Sequence, residues 1–275
     1  MQHPDAATRD ALSAKDLSRK DLSAKDLPQT AAALLDALRA RSPRVHCITN
    51  AVAQNFTANV LLAAGAVPSM TLSAEEIGPF VAGANALLVN LGTLDYERRE
   101  ATAVAVEAAT RGNEPWVLDP VFIDRSTPRA ALARALIASA PKAVRLKGAE
   151  CSALSGSEPT RETLAVYARD KKIIVGLSGA TDLVSDGERL ATIANGHALM
   201  AKVTAMGCAA SALVAACLGV EPDAWRATAA ALTMIGVAGE LAAAKVNGPG
   251  SFAVAIIDTL YNLDGPTLIA RAKVN

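Results

Sequence analysis

A glycine-containing loop runs directly into an apolar helix late in the chain. Residues 202–208 read Lys-Val-Thr-Ala-Met-Gly-Cys and are followed by the small, apolar residues 209–218. The free N–H groups and the positive dipole end of a helix attract phosphate, and Gly207 lets the backbone come close without a Cβ in the way. We expect Cys208 to be the first side chain of that helix, with its thiolate favoured and its pKa lowered. The alternative is a small structural residue in the core.

Two acids follow successive predicted strands and suggest a metal site. Asp119 comes directly after one strand, and Glu150 lies shortly after the next. Together they could share Mg²⁺, which takes oxygen ligands, keeps several waters and is usually completed by substrate phosphates. Arg145 and Lys147 add positive charge there, as phosphoryl transfer requires. The alternatives are a turn residue for Asp119, a helix cap or surface charge for Glu150, and a solvated charge pair for the two cations.

The elements that must position these residues alternate between strand and helix along the chain. This alternation predicts an α/β fold with a mostly parallel sheet, covered by helices on both faces, in which ligands bind beyond the carboxyl ends of the strands. The predicted strands are 44–48, 67–70, 86–90, 116–118, 143–146 and 173–177, followed by a hairpin around 186–187. The predicted helices are 30–41, 56–64, 74–84, 98–111, 129–139, 150–155, 161–169, 208–218, 223–245 and 251–262. The polar residues at the strand ends are Asn50, Asn90, Gly92, Asp119, Lys147, Ser178 and Gly179.

The chain is predicted to form one domain over residues 31–275, because no linker or abrupt change in composition divides it. Residues 1–30 are predicted to be a flexible or weakly helical extension. They contain a five-residue repeat, Ser-Ala-Lys-Asp-Leu and variants, over residues 13–27. Its leucines would spread around a helix and give no single apolar face. A tether or a segment that contacts a partner is the alternative.

Composition excludes several classes of function. The 27 basic and 27 acidic residues cancel, and only 3% of residues are aromatic, so nucleic acid binding is not expected. The cysteine and histidine spacings match no structural zinc site, and no apolar stretch is long enough for a membrane span or a leader segment. A reduced, cytoplasmic protein is expected.

Other catalytic motifs are absent or weak. No phosphate-binding loop of the Gly-x-x-x-x-Gly-Lys type is present, and the Gly-x-Gly-x-x-Ala match at 248–253 lies too late in the chain. Ser251 within it is predicted to be the N-cap of the final helix. His46 and Cys47 are neighbours on one strand and point to opposite faces, which argues against a Cys-His pair.

An ordered set of motifs runs from about Leu34 to Leu263. The segments are Val45 to Asn50, Gln54 to Ala66 with Pro68 and Met70, Ala86 to Leu94, Leu118 to Val121, Ser178-Gly179 with Asp182 and Val184 to Gly187, Lys202-Val203, Gly207-Cys208 and Gly248 to Phe252. Taken in this order, they resemble the hydroxyethylthiazole kinase family, and the resemblance implies a ribokinase-like fold.

The resemblance implies transfer of the γ-phosphate of ATP to the hydroxyl of 4-methyl-5-(2-hydroxyethyl)thiazole, in a homotrimer with active sites between subunits. It implies that Cys208 stands where related sugar kinases place an aspartate base. It implies that Asp119 and Glu150 serve Mg²⁺. The implied substrate-binding residues are Met70, Ala205, Asn50 and Gly207, and the implied ATP-binding residues are Arg145 and Ser178.

The chain departs from the family pattern where phosphate should bind. The family usually has Gly-Thr-Gly-Cys where residues 205–208 read Ala-Met-Gly-Cys, and Ala205 would restrict the loop if this position needs a positive φ. Residues 122–125 are bulkier and more charged than the usual glycine-containing run, 145–147 read Arg-Leu-Lys for Arg-Gly-Asn, and Ser178 replaces threonine. Two alternatives therefore stay open: a trimer that binds the thiazole with weakened catalysis, or a kinase of another small alcohol such as a hydroxymethylpyrimidine or pyridoxal.

Overall fold

A computed structural model describes residues 26–275 of the protein. Its centre is an eight-stranded sheet in the order β2-β1-β3-β4-β5-β6-β7-β8, in which strands β1 to β6 pair in parallel and β7 and β8 add an antiparallel edge. The strands are β1 (Arg44–Ile48), β2 (Val67–Ser69), β3 (Ala86–Asn90), β4 (Trp116–Asp119), β5 (Ala143–Lys147), β6 (Ile174–Ser178), β7 (Asp182–Ser185) and β8 (Leu190–Ile193). The predicted hairpin is thus confirmed as the β7 to β8 turn.

Eleven α-helices lie within this part of the chain. They are α1 (Leu27–Arg41), α2 (Gln54–Ala64), α3 (Ile77–Ala82), α4 (Tyr96–Gly112), α5 (Thr127–Ala138), α6 (Gly148–Ser155), α7 (Arg161–Lys171), α8 (Met206–Leu218), α9 (Ala224–Ala243), α10 (Pro249–Asn262) and α11 (Gly265–Arg271). Two short 3-10 helices occupy Ile123–Arg125 and Ala198–Lys202.

The helices cover both faces of the sheet, which confirms the predicted three-layer α/β/α fold. Helices α3 to α7 contribute to one apolar core, and α1, α2 and α8 to α11 contribute to the other. Residues along a strand alternate between the two cores: Leu88 of β3 belongs to one, whereas Leu87 and Val89 belong to the other. The central strands are therefore buried on both sides, as parallel sheets usually are.

The N-terminal boundary of the domain differs from the sequence prediction. Helix α1 begins at Leu27, so residues 27–30 belong to the domain and not to an extension. The reason is that Leu27 is buried in the core and Pro28 stands near the helix start, where a missing N–H costs nothing. Residues 1–25, which hold most of the repeat, lie outside the described residues.

The prediction for Ser251 is wrong. Helix α10 begins at Pro249 with Gly248 as its N-cap, and Ser251 lies inside it. Helix α11 (Gly265–Arg271), which the sequence analysis missed, has only seven residues, too few for a clear apolar periodicity. Over residues 26–275, no helix is both long and apolar enough to cross a membrane.

Candidate active site

Polar side chains meet at the carboxyl edge of the sheet, where β1, β3 and β4 end beneath the start of α8. Asn50 Nδ2 donates to Cys208 Sγ at 3.1 Å, and Asn90 Nδ2 lies 3.4 Å from the same sulfur. Asn90 Nδ2 also donates to Asp119 Oδ2 at 2.7 Å, and the Ser211 hydroxyl donates to that oxygen at 2.9 Å. We call these five residues, all buried, the Cys208 cluster.

Backbone geometry forces the cluster to be compact. Asn90 and Asp119 are paired in register at the ends of adjacent parallel strands, so their side chains leave the sheet side by side. Gly92 N–H donates to Asn90 Oδ1 at 2.9 Å, and a Cβ on Gly92 would come within 2.7 Å of the Asn50 Cβ. A larger residue at position 92 would therefore displace Asn50 from the sulfur.

Cys208 lies in the first turn of α8, and it is not the first helical residue. The helix begins at Met206, with Ala205 as its N-cap. Burial, and then the charge of Asp119, raise the pKa of the Cys208 thiol to about 11. The expectation of a lowered pKa was wrong, because the loss of solvent outweighs the hydrogen bonds from Asn50 and Asn90 and the charge of Arg145, which lower the pKa. The sulfur is therefore a neutral thiol at neutral pH.

Asp119 has one oxygen in use and one without a partner. Its Oδ2 accepts from Asn90 and Ser211, while the buried Oδ1 has no hydrogen-bond partner in the described structure. Burial raises the pKa of Asp119, the charge of Glu150 raises it further, and Arg145 opposes both. An orphaned carboxylate oxygen in a buried position is costly, and a cation would compensate it.

Glu150 holds the local backbone. Its Oε2 accepts from Lys147 N–H at 2.8 Å, which closes a capping box at the start of α6. Its Oε1 accepts from Phe122 N–H at 2.9 Å and so fixes the loop that follows β4. This is the helix-cap role that the sequence analysis left open, and the carboxylate is buried. Phe122, at the start of the loop over residues 122–125, adopts a left-handed backbone with φ 59°.

The two acids, Asp119 and Glu150, could supply part of a Mg²⁺ site, but not a complete set of ligands. Among residues 26–275, no group of three or more His, Cys, Asp or Glu side chains forms a metal cage. Mg²⁺ needs only one or two carboxylates when phosphates and water complete its shell. Asp119 has the free oxygen for direct binding, whereas both oxygens of Glu150 already accept N–H groups. Glu150 is thus suited to add negative charge nearby without leaving its cap.

Arg145 brings a positive charge to the start of α8. Its Nε donates to the Ser178 hydroxyl at 3.0 Å, and a Cβ on Gly207 would come within 2.6 Å of its Nη1. Gly207 is therefore needed for the close approach of the guanidinium to the helix. Asp182 lies beside this pair and accepts from Gly179 N–H at 2.9 Å; burial raises its pKa, and Arg145 opposes that shift.

Ala205 adopts the left-handed backbone conformation, with φ 69°. This conformation costs about 1–2 kcal/mol for a residue with a Cβ, and glycine avoids most of that cost. We expect Ala205→Gly to raise the free energy of unfolding by about 1 kcal/mol in urea denaturation. Ala131→Gly, on the exposed face of α5, is the control and should lower it by about 1 kcal/mol. Equal losses in both variants would contradict the assignment.

Met70 is placed at the same edge of the sheet but outside the Cys208 cluster. It follows the last residue of β2, is partly buried, and packs against the core that contains Met206 of α8. The structure joins Asn50 directly to Cys208 and joins Asp119 to Cys208 through Asn90, with Ala205 as the N-cap of α8 and Gly207 in its first turn. No hydrogen bond among the described residues joins Met70, Ser178 or Glu150 to the sulfur.

Two members of the cluster were missing from the predicted site. Asn90 was recognised only as a strand-end residue, and Ser211 was not singled out. The signal for Ser211 is its position three residues after Cys208 on the same helix, where side chains share a face. Asn90 could have been included because it stands at the end of the strand next to the one that ends in Asp119.

Comparison with known proteins identifies the family of this chain. The model of the hydroxyethylthiazole kinase family matches residues 35–265. A probable hydroxyethylthiazole kinase of Agrobacterium fabrum is 43% identical over 244 residues, covering 89% of this chain and 94% of that protein. The hydroxyethylthiazole kinase of Granulibacter bethesdensis is 43% identical over 253 residues, covering 87% of this chain and 92% of that protein.

Solved structures agree. The structure of a hydroxyethylthiazole kinase protein from Pyrococcus horikoshii superposes with a TM-score of 0.87 at 35% identity, covering 90% of this chain and 98% of that one. A ribokinase-like superfamily protein of Enterococcus faecalis, 14% identical with a TM-score of 0.63 over 92% of this chain and all of that one, shares the fold alone. A matching family model over most of the chain and relatives above 40% identity lead to one conclusion: this chain belongs to the hydroxyethylthiazole kinase family.

Proposed function

We propose that the protein transfers the γ-phosphate of ATP to the hydroxyl of 4-methyl-5-(2-hydroxyethyl)thiazole in thiamine salvage. The observation that carries the proposal is the Cys208 cluster: a buried thiol, two amides and a carboxylate meet at the start of α8. This is where an α/β sheet binds ligands and where a helix attracts phosphate. The relatives named above carry the same activity in their names.

Cys208 and Asn50 are proposed to receive the acceptor alcohol. The buried Oδ1 of Asn50 has no hydrogen-bond partner in the described structure and can accept from a hydroxyl. The neighbouring thiol, with its pKa raised to about 11, is a weak acid, so its thiolate is a strong base. Proton transfer from the alcohol to the small thiolate fraction would generate the nucleophile. Met70, Ala205 and Gly207 are proposed to line the rest of the thiazole site.

The start of α8 and Arg145 are proposed to stabilise the transferring phosphoryl group. The first N–H groups of a helix have no internal partners, and here they stand beside Arg145. Phosphoryl transfer depends on positioning and charge stabilisation more than on covalent steps. Ser178 fixes the guanidinium by accepting its Nε hydrogen, so these two residues form the proposed ATP contact.

Asp119 is proposed to hold Mg²⁺ through its free Oδ1, with Glu150 adding negative charge from its cap. When bound, Mg²⁺ supplies positive charge that neutralises the phosphates of ATP.

The proposal also includes a homotrimer with active sites between subunits. Two apolar side chains near Met70 are nearly half exposed and suit a subunit contact: Val67 on the edge strand β2 and Phe80 on α3. The four free thiols suit the reducing cytoplasm.

An ADP-release assay with ATP and Mg²⁺ tests the proposal. The purified protein is expected to turn over the thiazole alcohol, and to prefer it over a hydroxymethylpyrimidine and over pyridoxal, because the family match is to thiazole kinases. Faster turnover of either competitor would reassign the substrate. Binding of the thiazole in calorimetry without any ADP release would show a binding protein in place of a kinase.

A further inference from the structure

A buried histidine forms hydrogen bonds with both sequence neighbours of Met70. His46 lies on β1 with its side chain fully buried. Its Nδ1 is 2.8 Å from the Ser69 hydroxyl oxygen, and its Nε2 is 3.2 Å from the carbonyl oxygen of Thr71. A carbonyl can only accept, so Nε2 carries the hydrogen and Nδ1 accepts from Ser69. One side chain therefore holds the residue before Met70 and the residue after it.

The ring is suited to this fixed role because it stays neutral. Burial lowers the pKa of His46 to about 4, opposed by the hydrogen bond to Thr71. The Phe80 ring covers it at a centroid distance of 5.9 Å and an angle of 42°. Glu76 is the acid on this side, and it accepts from the Thr71 hydroxyl rather than from the ring. The same tautomer is thus present throughout the neutral pH range.

Little else holds this segment. Strand β2 has three residues and pairs with β1 only through Val67, Pro68 and Ser69. The chain then leaves the sheet, and no backbone–backbone hydrogen bond of the described structure involves residues 70–72. Apart from the bond of the Thr71 hydroxyl to Glu76, the two hydrogen bonds made by His46 are therefore the side-chain polar contacts of residues 69–72 in the described structure. Methionine has three rotatable bonds, so a defined contact with a ligand needs a fixed backbone.

We propose that His46 is a positioning residue that sets the affinity for the acceptor alcohol by fixing the Met70 segment. This inference rests on the proposed function, because it takes Met70 as the contact to the thiazole. His46 does not reach the Cys208 cluster through any hydrogen bond of the described residues. Its effect should therefore fall on acceptor binding and spare ATP binding.

The test compares His46→Ala, His46→Gln and Ser69→Ala with the parent protein. We expect His46→Ala to raise the KM for the thiazole alcohol about tenfold, with the KM for ATP unchanged within about twofold. Ser69→Ala, which keeps the ring and loses one bond, should give a smaller rise of the same kind. His46→Gln can still bond in part and should recover part of the affinity.

Leu164→Ala is the matched control. Leu164 lies on α7 and is fully buried in the core on the other side of the sheet from the one against which Met70 packs, so its truncation costs stability without touching residues 69–71. It should lower the melting temperature and leave both KM values unchanged. An unchanged acceptor KM in Ser69→Ala and both His46 variants, or an equal rise in both KM values, would overturn the inference.

Failure of the proposed function gives a different result. If the parent protein binds the thiazole alcohol without phosphorylating it, the kinase proposal fails, and calorimetric Kd values replace KM in the same comparison. If the parent binds no thiazole alcohol, the inference falls together with the proposed substrate.

Discussion

Asp119→Asn is expected to lower kcat by about 10³-fold, because the free carboxylate oxygen is the proposed direct ligand of Mg²⁺. Asparagine has the same shape, and its carbonyl can take the place of Oδ2, which accepts from Asn90 and Ser211. Its amide then stands where Oδ1 has no partner. The variant should therefore fold, and steady-state ADP release measures the loss of turnover.

The same substitution is expected to raise the melting temperature. Burial raises the pKa of Asp119 in the folded state, so the folded protein binds this proton more tightly than the unfolded chain does. The carboxyl group thus favours folding when protonated at low pH, and it destabilises the fold once pH rises above its unfolded pKa. Asparagine removes that cost at neutral pH, as expected for a residue kept for activity.

Asp258→Asn is the control for this prediction. Asp258 lies on the exposed face of α10, and neutralising it should change neither kcat nor the melting temperature by a measurable amount. A loss of both stability and activity in Asp119→Asn would instead show that Asp119 supports the packing of β4 against α8.

Cys208→Ser is expected to lower kcat by about 10²-fold and to change its pH dependence. Because the pKa of the parent thiol is raised to about 11, the thiolate is a small fraction near neutral pH. That fraction grows about tenfold per pH unit, so the rate of the parent enzyme should rise from about pH 6 to about pH 9 without a plateau. A serine hydroxyl does not ionise in this range, and the rise should disappear. Initial rates at saturating substrates measure both effects.

Cys217→Ala is the matched control for the thiol. Cys217 lies on the same helix and is fully buried in the core, away from the polar cluster. Its truncation should lower stability by roughly 1 kcal/mol or more and leave the pH–rate profile unchanged. A rate that is independent of pH in the parent enzyme would show that Cys208 does not act as a base.

The alternation of predicted strands and helices along the chain predicted the three-layer fold. This was possible because each strand and each helix has its own local periodicity of apolar residues. It also predicted that Asn50, Asn90 and Asp119 share one edge, since parallel strands end on the same side of a sheet. The prediction was weaker at helix ends: α8 begins at Met206, and α10 begins at Pro249. Caps depend on a few residues and on how the preceding loop approaches.

The chemical state of the site was decided by tertiary structure. The sequence determined that Cys208 stands near a helix start, and this local fact alone predicted a lowered pKa. Folding buries the Cys208 sulfur near Asp119, which ends strand β4 and lies 89 residues earlier in the chain (208 minus 119). As a result, the pKa of the Cys208 thiol rises to about 11. Folding likewise brings the Glu150 carboxylate to the Phe122 N–H group, from which it accepts a hydrogen bond. It also brings the Arg145 guanidinium close to Gly207. Side-chain types and helix dipoles are local properties, whereas desolvation and charge contacts depend on residues far apart in the chain.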